Sequence, residues 1–193
     1  MLAVQTAVIA AKSLGIDSLL TNGVHRGDME RLWGKRVDRA MLDGLYGPLD
    51  QNVLDATLWP LPQQQQEAMS KRRVGLGFTG LGDALLMLGL RYDRDEGRQQ
   101  AAAIARALRD AAYRASVELA KEKGAFARFD ARHYLAPPRF ASRLPDDIRA
   151  AIARHGLRNS HLLAIAPTGT ISLAFADNAS NGIEPAFSWT SRK

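Results

Sequence analysis

The sequence feature that most constrains the fold is a long helical pattern between Asp95 and Lys123. Apolar residues recur there every three or four positions, and small alanines beside them permit close packing. The stripe consists of Ile104, Leu108, Ala111, Ala115 and Leu119. Gly124 follows at the position where helices commonly end in a left-handed residue. The pattern predicts one long amphipathic helix over residues 95–123 and hence a mainly helical chain.

Shorter patterns predict further helices and two strands. Helices are expected over Leu2–Leu14, after Asp28, over Leu49–Thr57, from Gln63, over Thr79–Leu90 and after Pro145. The helix over Thr79–Leu90 is very apolar, so we expect it to be buried on most sides. Apolar runs bounded by turn residues predict short buried strands at Leu162–Ala166 and Ile183–Phe187. The expected fold class is therefore α/β and rich in helix.

The composition excludes several classes of protein. No apolar run approaches the roughly 20 residues that a membrane-spanning helix needs, and no secretory signal pattern opens the chain. A cytoplasmic location without a membrane partner is therefore expected. The chain contains no cysteine, which removes disulfides, thiolate metal sites and thiol chemistry from it. His155 and His161 do not have the spacing of metal ligands, so no metal site is predicted.

The charge balance is basic, with 26 Lys and Arg against 20 Asp and Glu and a net charge of +6. Such a balance suits anionic partners, including nucleotides and nucleic acids. The positive residues are scattered, however, between a helix that carries four arginines and the connection Lys71–Arg73. Solvated surface is the favoured interpretation, and no nucleic-acid partner is predicted. The alternative, a DNA-binding face, predicts a steep salt dependence of binding.

One glycine-rich segment, Gly75–Gly80, matches the G-x-G-x-x-G pattern of dinucleotide-binding loops. Such a loop requires a buried strand directly before it, whereas Ala68–Arg73 is too polar for one. The favoured interpretation is that these glycines allow tight packing where a buried helix begins. A dinucleotide site remains the minor alternative.

A second candidate site is the turn at 167–172, which reads PTGTIS. Thr168, Thr170 and Ser172 offer hydroxyl groups, and Gly169 lets the backbone approach an anion closely. These groups suit phosphate binding. Many ordinary turns contain the same residue types, so the turn by itself favours a plain structural role.

A third candidate is Glu184, in the polar turn Asn178–Pro185. Its carboxylate could act as an acid or base, but no histidine or second carboxylate lies near it in the sequence. The favoured interpretation is a carboxylate that pairs with backbone amides or with an arginine.

Taken together, several segments resemble the large chain of ribonucleotide reductases of the adenosylcobalamin-dependent, class II type. They are NVLD at 52–55, WPLP at 59–62, KRRVGLGFTGLGDAL at 71–85, AKEKGAF at 120–126, RNSHLLAIAPTGTIS at 158–172 and NASNGIEPAFSWTSRK at 178–193. Their order and spacing also match, over about residues 38–193. Residues 1–36 resemble instead part of a nitroreductase-like flavoprotein. Two domains of different origin, 1–36 and 37–193, are therefore predicted.

The resemblance implies a ten-stranded α/β barrel, of which this chain would carry the C-terminal portion. It implies that the phosphates of a ribonucleoside diphosphate are bound by Pro167, Thr168, Gly169, Thr170, Ile171 and Ser172. It also implies a radical mechanism with adenosylcobalamin as cofactor and a thioredoxin-type reductant. The family's catalytic cysteines lie upstream of the matched segments, so no catalytic residue is assigned here. A complementary reductase chain would supply them; the alternative is a non-catalytic nucleotide-binding or protein-interaction remnant.

Overall fold

The computed structural model describes residues 57–170 and 179–186, together with Leu54. Within these residues the regular elements are α1 Pro62–Lys71, α2 Leu81–Met87, α3 Asp95–Lys123, α4 Ala131–Leu135, a 3-10 helix Phe140–Arg143 and α5 Asp146–His155. No regular β-strand lies in the described ranges. The helix-rich character expected from the sequence is confirmed, and the barrel stays a prediction. The expected helices before residue 50 and the domain boundary near residue 36 lie outside the described residues.

The described residues form two compact units. The first unit comprises 76–108, 164–170 and 179–186, and the second comprises 57–75 and 109–163. The candidate loop at 167–170, the segment around Glu184 and α2 all belong to the first unit.

The long helix α3 has the bounds that its sequence pattern predicts. Two acidic residues lie in its first turn and two lysines in its last, so the charges at both ends complement the helix dipole. Gly124 follows with a φ of 83°, a left-handed conformation that glycine adopts without a steric penalty. Four residues of the predicted stripe are buried: Ile104, Ala111, Ala115 and Leu119.

Helix α2 is shorter than the predicted Thr79–Leu90. Gly80 precedes it with a φ of 71°, and Gly89 follows its last turn with a φ of 72°. Left-handed residues cannot continue a right-handed helix, so these two glycines set the bounds of α2. The interpretation of Gly80 as part of a helix start is therefore confirmed.

The core of the first unit is built around α2 and residues of α3. Buried Leu81, Leu85 and Ile104 are packed against Phe78, Leu90, Ala101 and Ile183. The expectation that α2 is buried on most sides is wrong, because Leu86 is 53% exposed and Met87 is 39% exposed. Only one face of this short helix contributes to the core.

The second unit contains α4, which contacts both the 3-10 helix and α5. Helix α5 begins after Pro145 and ends before Gly156, as predicted, and two of its isoleucines are buried. The rings of Phe126 and Phe129 meet edge to face with centroids 5.4 Å apart. The Tyr134 hydroxyl donates to the Ser160 carbonyl at 3.1 Å. Burial raises the pKa of Tyr134, so this hydroxyl remains a donor at neutral pH.

Helix α4 was not predicted, because five residues are too few to show a helical period. The signal that could have located it is Asp130, its N-cap. One Asp130 carboxylate oxygen accepts from the backbone N–H of Arg132 at 2.9 Å and from that of His133 at 3.3 Å. The His133 N–H, with that of Arg132, holds the pKa of Asp130 below its usual value.

We expect Asp130→Ala to lower the thermal unfolding midpoint by a few degrees at neutral pH, because two helix-end N–H groups lose their acceptor. A lowered folded-state pKa means that the stabilisation is fully present above the unfolded-state pKa, about 3.9. It is lost as the pH falls through the lower folded-state value. Thermal unfolding of variant and wild type should therefore converge in acid. A difference that does not depend on pH would contradict this role of the carboxylate.

The two predicted strands are wrong as regular elements. In the first unit the Ala164 N–H donates to the Leu76 carbonyl at 2.8 Å, but Ile165 is 78% exposed. The run at 162–166 is therefore extended with isolated pairing rather than a buried strand. Residues 183–186 form no strand either. The carbonyls of Ile183 and Glu184 accept from side-chain hydroxyls, as the next subsection describes. Phe187 lies outside the described residues.

Candidate functional site

The predicted phosphate loop begins at a constrained residue. Thr168 has a φ of 50°, in the left-handed region, which costs roughly 1–2 kcal/mol for a residue with a Cβ. Its hydroxyl donates to the Asn181 carbonyl at 2.8 Å, a contact that holds this conformation. Helical backbone begins immediately afterwards at Gly169 and Thr170. Pro167 and Thr170 are exposed, whereas Thr168 and Gly169 are partly buried.

Of the six predicted phosphate-binding residues, the structure thus describes four. Pro167, Thr168, Gly169 and Thr170 lie together in one turn of the first unit. Ile171 and Ser172 lie outside the described residues. The sequence did not identify the residues that hold this turn in place.

The turn rests against the segment Ser180–Glu184, whose four consecutive carbonyls from 181 to 184 each accept a specific hydrogen bond. The donors are the Thr168 hydroxyl to Asn181, the Leu81 N–H to Gly182 at 3.0 Å, the Tyr92 hydroxyl to Ile183 at 2.7 Å and the Ser180 hydroxyl to Glu184. Donors from three separate parts of the chain and one from within the segment thus fix successive peptide groups. The segment Ser180–Glu184 is a firmly held support for the turn.

Gly182 lies where the turn and the segment come closest. A Cβ at this position would be 2.8 Å from a Glu184 carboxylate oxygen, 3.2 Å from the Thr168 hydroxyl oxygen and 3.2 Å from the Ala166 carbonyl oxygen. Gly182 is also buried. Only glycine allows this close approach without displacing its neighbours.

The segment also occupies the N-terminus of α2. The Leu81 N–H donates to the Gly182 carbonyl and the Gly82 N–H to the Ser180 hydroxyl at 3.1 Å. The Ser180 N–H in turn donates to an Asp83 carboxylate oxygen at 3.2 Å. Two of the N–H groups that a dinucleotide phosphate would need at this helix end are therefore already bonded within the chain.

The glycines of the G-x-G-x-x-G segment serve packing instead. Within the segment, a Cβ on Gly77 would be 2.4 Å from the Ala164 carbonyl oxygen. Two residues beyond its end, a Cβ on Gly82 would be 2.8 Å from the Glu184 carbonyl oxygen. The regular element that precedes them in the chain is a helix, α1, and not the strand that a dinucleotide fold requires. The packing interpretation is confirmed, and the dinucleotide alternative is wrong for this structure.

Glu184 pairs with the backbone. One of its carboxylate oxygens accepts from the Gly182 N–H at 2.8 Å. This is the interpretation that the sequence favoured over an acid or base role. The contact places the carboxylate beside Gly182, on the side of the segment that carries the Thr168 contact.

Most of the basic residues noted in the sequence take part in structural contacts. In the second unit Arg114 pairs with Asp147 at 2.9 Å, and Lys71 and Arg73 both pair with Glu67. Arg72 is buried. In these pairs the positive charge is neutralised locally, which favours the interpretation as solvated surface over a nucleic-acid face.

The part of the chain that the structure describes offers neither a metal-binding cluster nor a membrane-spanning helix. No group of three or more His, Asp or Glu side chains is arranged there to hold a metal ion. Nor does any helix in this part of the chain have the length and apolar character to span a membrane.

Comparison with known proteins gives a family match over most of the chain. The family model described as the barrel domain of ribonucleotide reductase matches residues 48–193. A vitamin B12-dependent ribonucleoside-diphosphate reductase of Mycobacterium tuberculosis (strain CDC 1551 / Oshkosh) is 36% identical over 157 residues, covering 79% of this chain and 20% of the relative. The ribonucleoside-diphosphate reductase subunit alpha of Treponema pallidum is 33% identical over 139 residues, covering 69% of this chain and 16% of the relative. The chain thus spans about a fifth of the length of these relatives or less.

Proposed function

Because the chain belongs to the ribonucleotide reductase family, we propose that it supplies the substrate-phosphate loop of a ribonucleoside-diphosphate reductase. The substrate is a ribonucleoside diphosphate, and the loop comprises Pro167–Ser172. The observation that carries the proposal is the left-handed Thr168, whose hydroxyl is held by the Asn181 carbonyl directly before Gly169 and Thr170. Strained residues of this kind persist where the surrounding structure fixes them, and they cluster at binding sites.

The two threonines of the loop have different roles. The Thr168 hydroxyl proton is directed to the Asn181 carbonyl, so Thr168 shapes the turn rather than donating to a ligand. Thr170 is exposed, and its hydroxyl can turn toward a phosphate oxygen. Gly169 has no side chain, so the backbone can approach an anion closely at this position.

In this proposal, residues of another polypeptide carry out the reduction of the ribose. The family's radical chemistry needs cysteine thiols, and the chain contains none. A complementary reductase polypeptide would supply them, together with the contact to a thioredoxin-type reductant. Mixing the chain with such a polypeptide, adenosylcobalamin and a thiol reductant should give deoxynucleotide. Absence of turnover with every candidate partner would contradict the split-enzyme version.

Adenosylcobalamin is proposed for the complete reductase and not for this chain. Of the histidines that the structure describes, His133 pairs with Asp130, and His161 shares a hydrogen bond with Ser160 at 3.0 Å. These contacts involve two of the three histidines that the structure describes. No step is assigned to the cofactor here, and the cytoplasmic location stays a prediction.

A non-catalytic role is the second candidate, and the absence of cysteine favours it. In this version the chain binds a nucleotide or another protein without reducing a substrate. Only the split enzyme gives turnover in the mixing assay, and only a nucleotide-binding chain binds a ribonucleoside diphosphate, so the two measurements separate the candidates.

We expect Thr170→Ala to weaken the binding of a ribonucleoside diphosphate about tenfold, because a hydrogen bond to a charged group contributes about 1.5 kcal/mol. Isothermal titration calorimetry of the full chain measures the change. Ser142→Ala is the matched control, since it removes a hydroxyl from the second unit. Equal affinities for Thr170→Ala and wild type would contradict the assignment of Thr170.

A further inference from the structure

We propose that Glu184 is a positioning residue for the phosphate loop: its carboxylate orients the peptide group that receives the Thr168 hydroxyl. The expected effect of Glu184 on nucleotide binding rests on the proposed function of the loop. The structural part of the inference concerns the conformation of residues 167–170 and can be tested without a nucleotide.

The evidence is that Glu184 and Thr168 contact opposite ends of one peptide group. The Asn181 carbonyl accepts from the Thr168 hydroxyl at 2.8 Å. The Gly182 N–H, in the same planar peptide unit, donates to the Glu184 carboxylate at 2.8 Å. Because the peptide is rigid and planar, fixing its N–H also fixes the direction of its carbonyl. The carboxylate therefore determines where the acceptor for Thr168 points.

The packing around Gly182 shows that this peptide group has little freedom. A Cβ there would meet the Glu184 carboxylate, the Thr168 hydroxyl and the Ala166 carbonyl at once. The next carbonyl, that of Gly182, accepts from the Leu81 N–H of α2. The peptide group is therefore held on both sides, and Glu184 supplies the contact nearest to the loop.

An acceptor role and a charge role make different predictions. A negative charge close to a phosphate loop disfavours an anion by repulsion, so the charge is not what a phosphate site requires. The acceptor is needed, and a neutral amide oxygen provides one. Glu184→Gln should therefore preserve the loop, whereas Glu184→Ala should release it.

The test compares Glu184→Ala and Glu184→Gln with wild type in the full chain, using two readouts. Hydrogen exchange of the Thr168, Gly169 and Thr170 amides reports on the loop without nucleotide. Calorimetric titration with a ribonucleoside diphosphate reports on binding. For Glu184→Ala we expect faster exchange and about fivefold weaker binding, and for Glu184→Gln both values within about twofold of wild type. Glu96→Ala, which removes an exposed carboxylate from the first turn of α3, should change neither.

Two results would overturn the inference: exchange in Glu184→Ala that equals wild type, or a Glu184→Gln variant that exchanges and binds like Glu184→Ala. The second result would assign the role to the charge. If wild type binds no diphosphate, the proposed function of the loop fails by itself. Hydrogen exchange still tests the positioning role without nucleotide: the loop amides should exchange faster in Glu184→Ala and as in wild type in Glu184→Gln.

Discussion

Replacing Gly182 with alanine is expected to weaken the binding of a ribonucleoside diphosphate by an order of magnitude or more. The new methyl group would lie 2.8 Å from the Glu184 carboxylate oxygen and 3.2 Å from both the Thr168 hydroxyl and the Ala166 carbonyl oxygens. Overpacking at such a site typically costs about 1–3 kcal/mol and moves the neighbouring groups. Here the Glu184 carboxylate must move away from the Gly182 N–H, and the Thr168 hydroxyl and Ala166 carbonyl must give by a few tenths of an ångström. Calorimetric titration and chemical denaturation of the variant measure both effects.

Gly89→Ala is the matched control for this substitution. Gly89 has a φ of 72°, so alanine there is strained, but nothing lies within 4 Å of its added Cβ. We expect it to lower the free energy of unfolding by about 1 kcal/mol and to leave nucleotide affinity unchanged. If Gly182→Ala bound the diphosphate as tightly as Gly89→Ala, the close contact at Gly182 would have no role in the loop.

Replacing Asn159 with leucine is expected to destabilise the second unit by about 3 kcal/mol, because two buried polar contacts lose a partner at once. Asn159 is fully buried. Its side-chain amide donates to the Arg72 carbonyl at 3.0 Å, and its side-chain oxygen accepts from the Ser116 hydroxyl at 3.1 Å. Leucine has a similar volume but removes both, and the groups left behind are buried. Urea denaturation measures the loss.

Ser116→Ala provides the comparison for Asn159. It removes the hydroxyl that donates to the Asn159 side chain and accepts from the Asn159 backbone N–H at 3.1 Å. The double variant should lose less than the sum of the two single losses, since the residues belong to one network. A loss below about 1 kcal/mol for Asn159→Leu, or strict additivity, would contradict a shared buried network.

The sequence predicted the long helix well for physical reasons. In α3 the apolar stripe, the acidic first turn and Gly124 all indicate the same bounds, so local signals agree with the packing. Helix α5 is similar, with Pro145 before it and Gly156 after it. Helix α2 was predicted too long at its start, because an apolar run does not show that Gly80 is left-handed, whereas Gly89 was expected to close the helix and does follow its last turn.

The strands were not predictable from apolar runs. A strand needs a neighbouring strand whose backbone N–H and carbonyl groups are in register to form hydrogen bonds with it. The sequence of one segment does not reveal that neighbour. The Ile183 carbonyl instead accepts from a tyrosine hydroxyl, and the Glu184 carbonyl accepts from a serine hydroxyl of the same segment. Those partners lie up to 91 residues apart in the chain.

The candidate site was predictable in part. The residue types at Thr168–Thr170 indicate that the turn could bind an anion, and the family resemblance implies that the anion is the diphosphate of a ribonucleotide. Its support depends on a contact across 13 residues to Asn181, on the Glu184 carboxylate two residues from Gly182, and on the space around that glycine. The separate roles of Thr168 and Thr170 followed only from the direction of the Thr168 hydroxyl.

The most direct test of the proposed phosphate loop is an NMR titration of the full chain with a ribonucleoside diphosphate and, in parallel, with the same nucleoside lacking phosphates. If the loop binds phosphate, the diphosphate shifts the amide signals of Gly169 and Thr170, and the nucleoside leaves them in place. Thr170→Ala should reduce the shift at equal ligand concentration. Equal shifts with both ligands, or no shift of these two amides while others move, would contradict a phosphate-binding role for the loop.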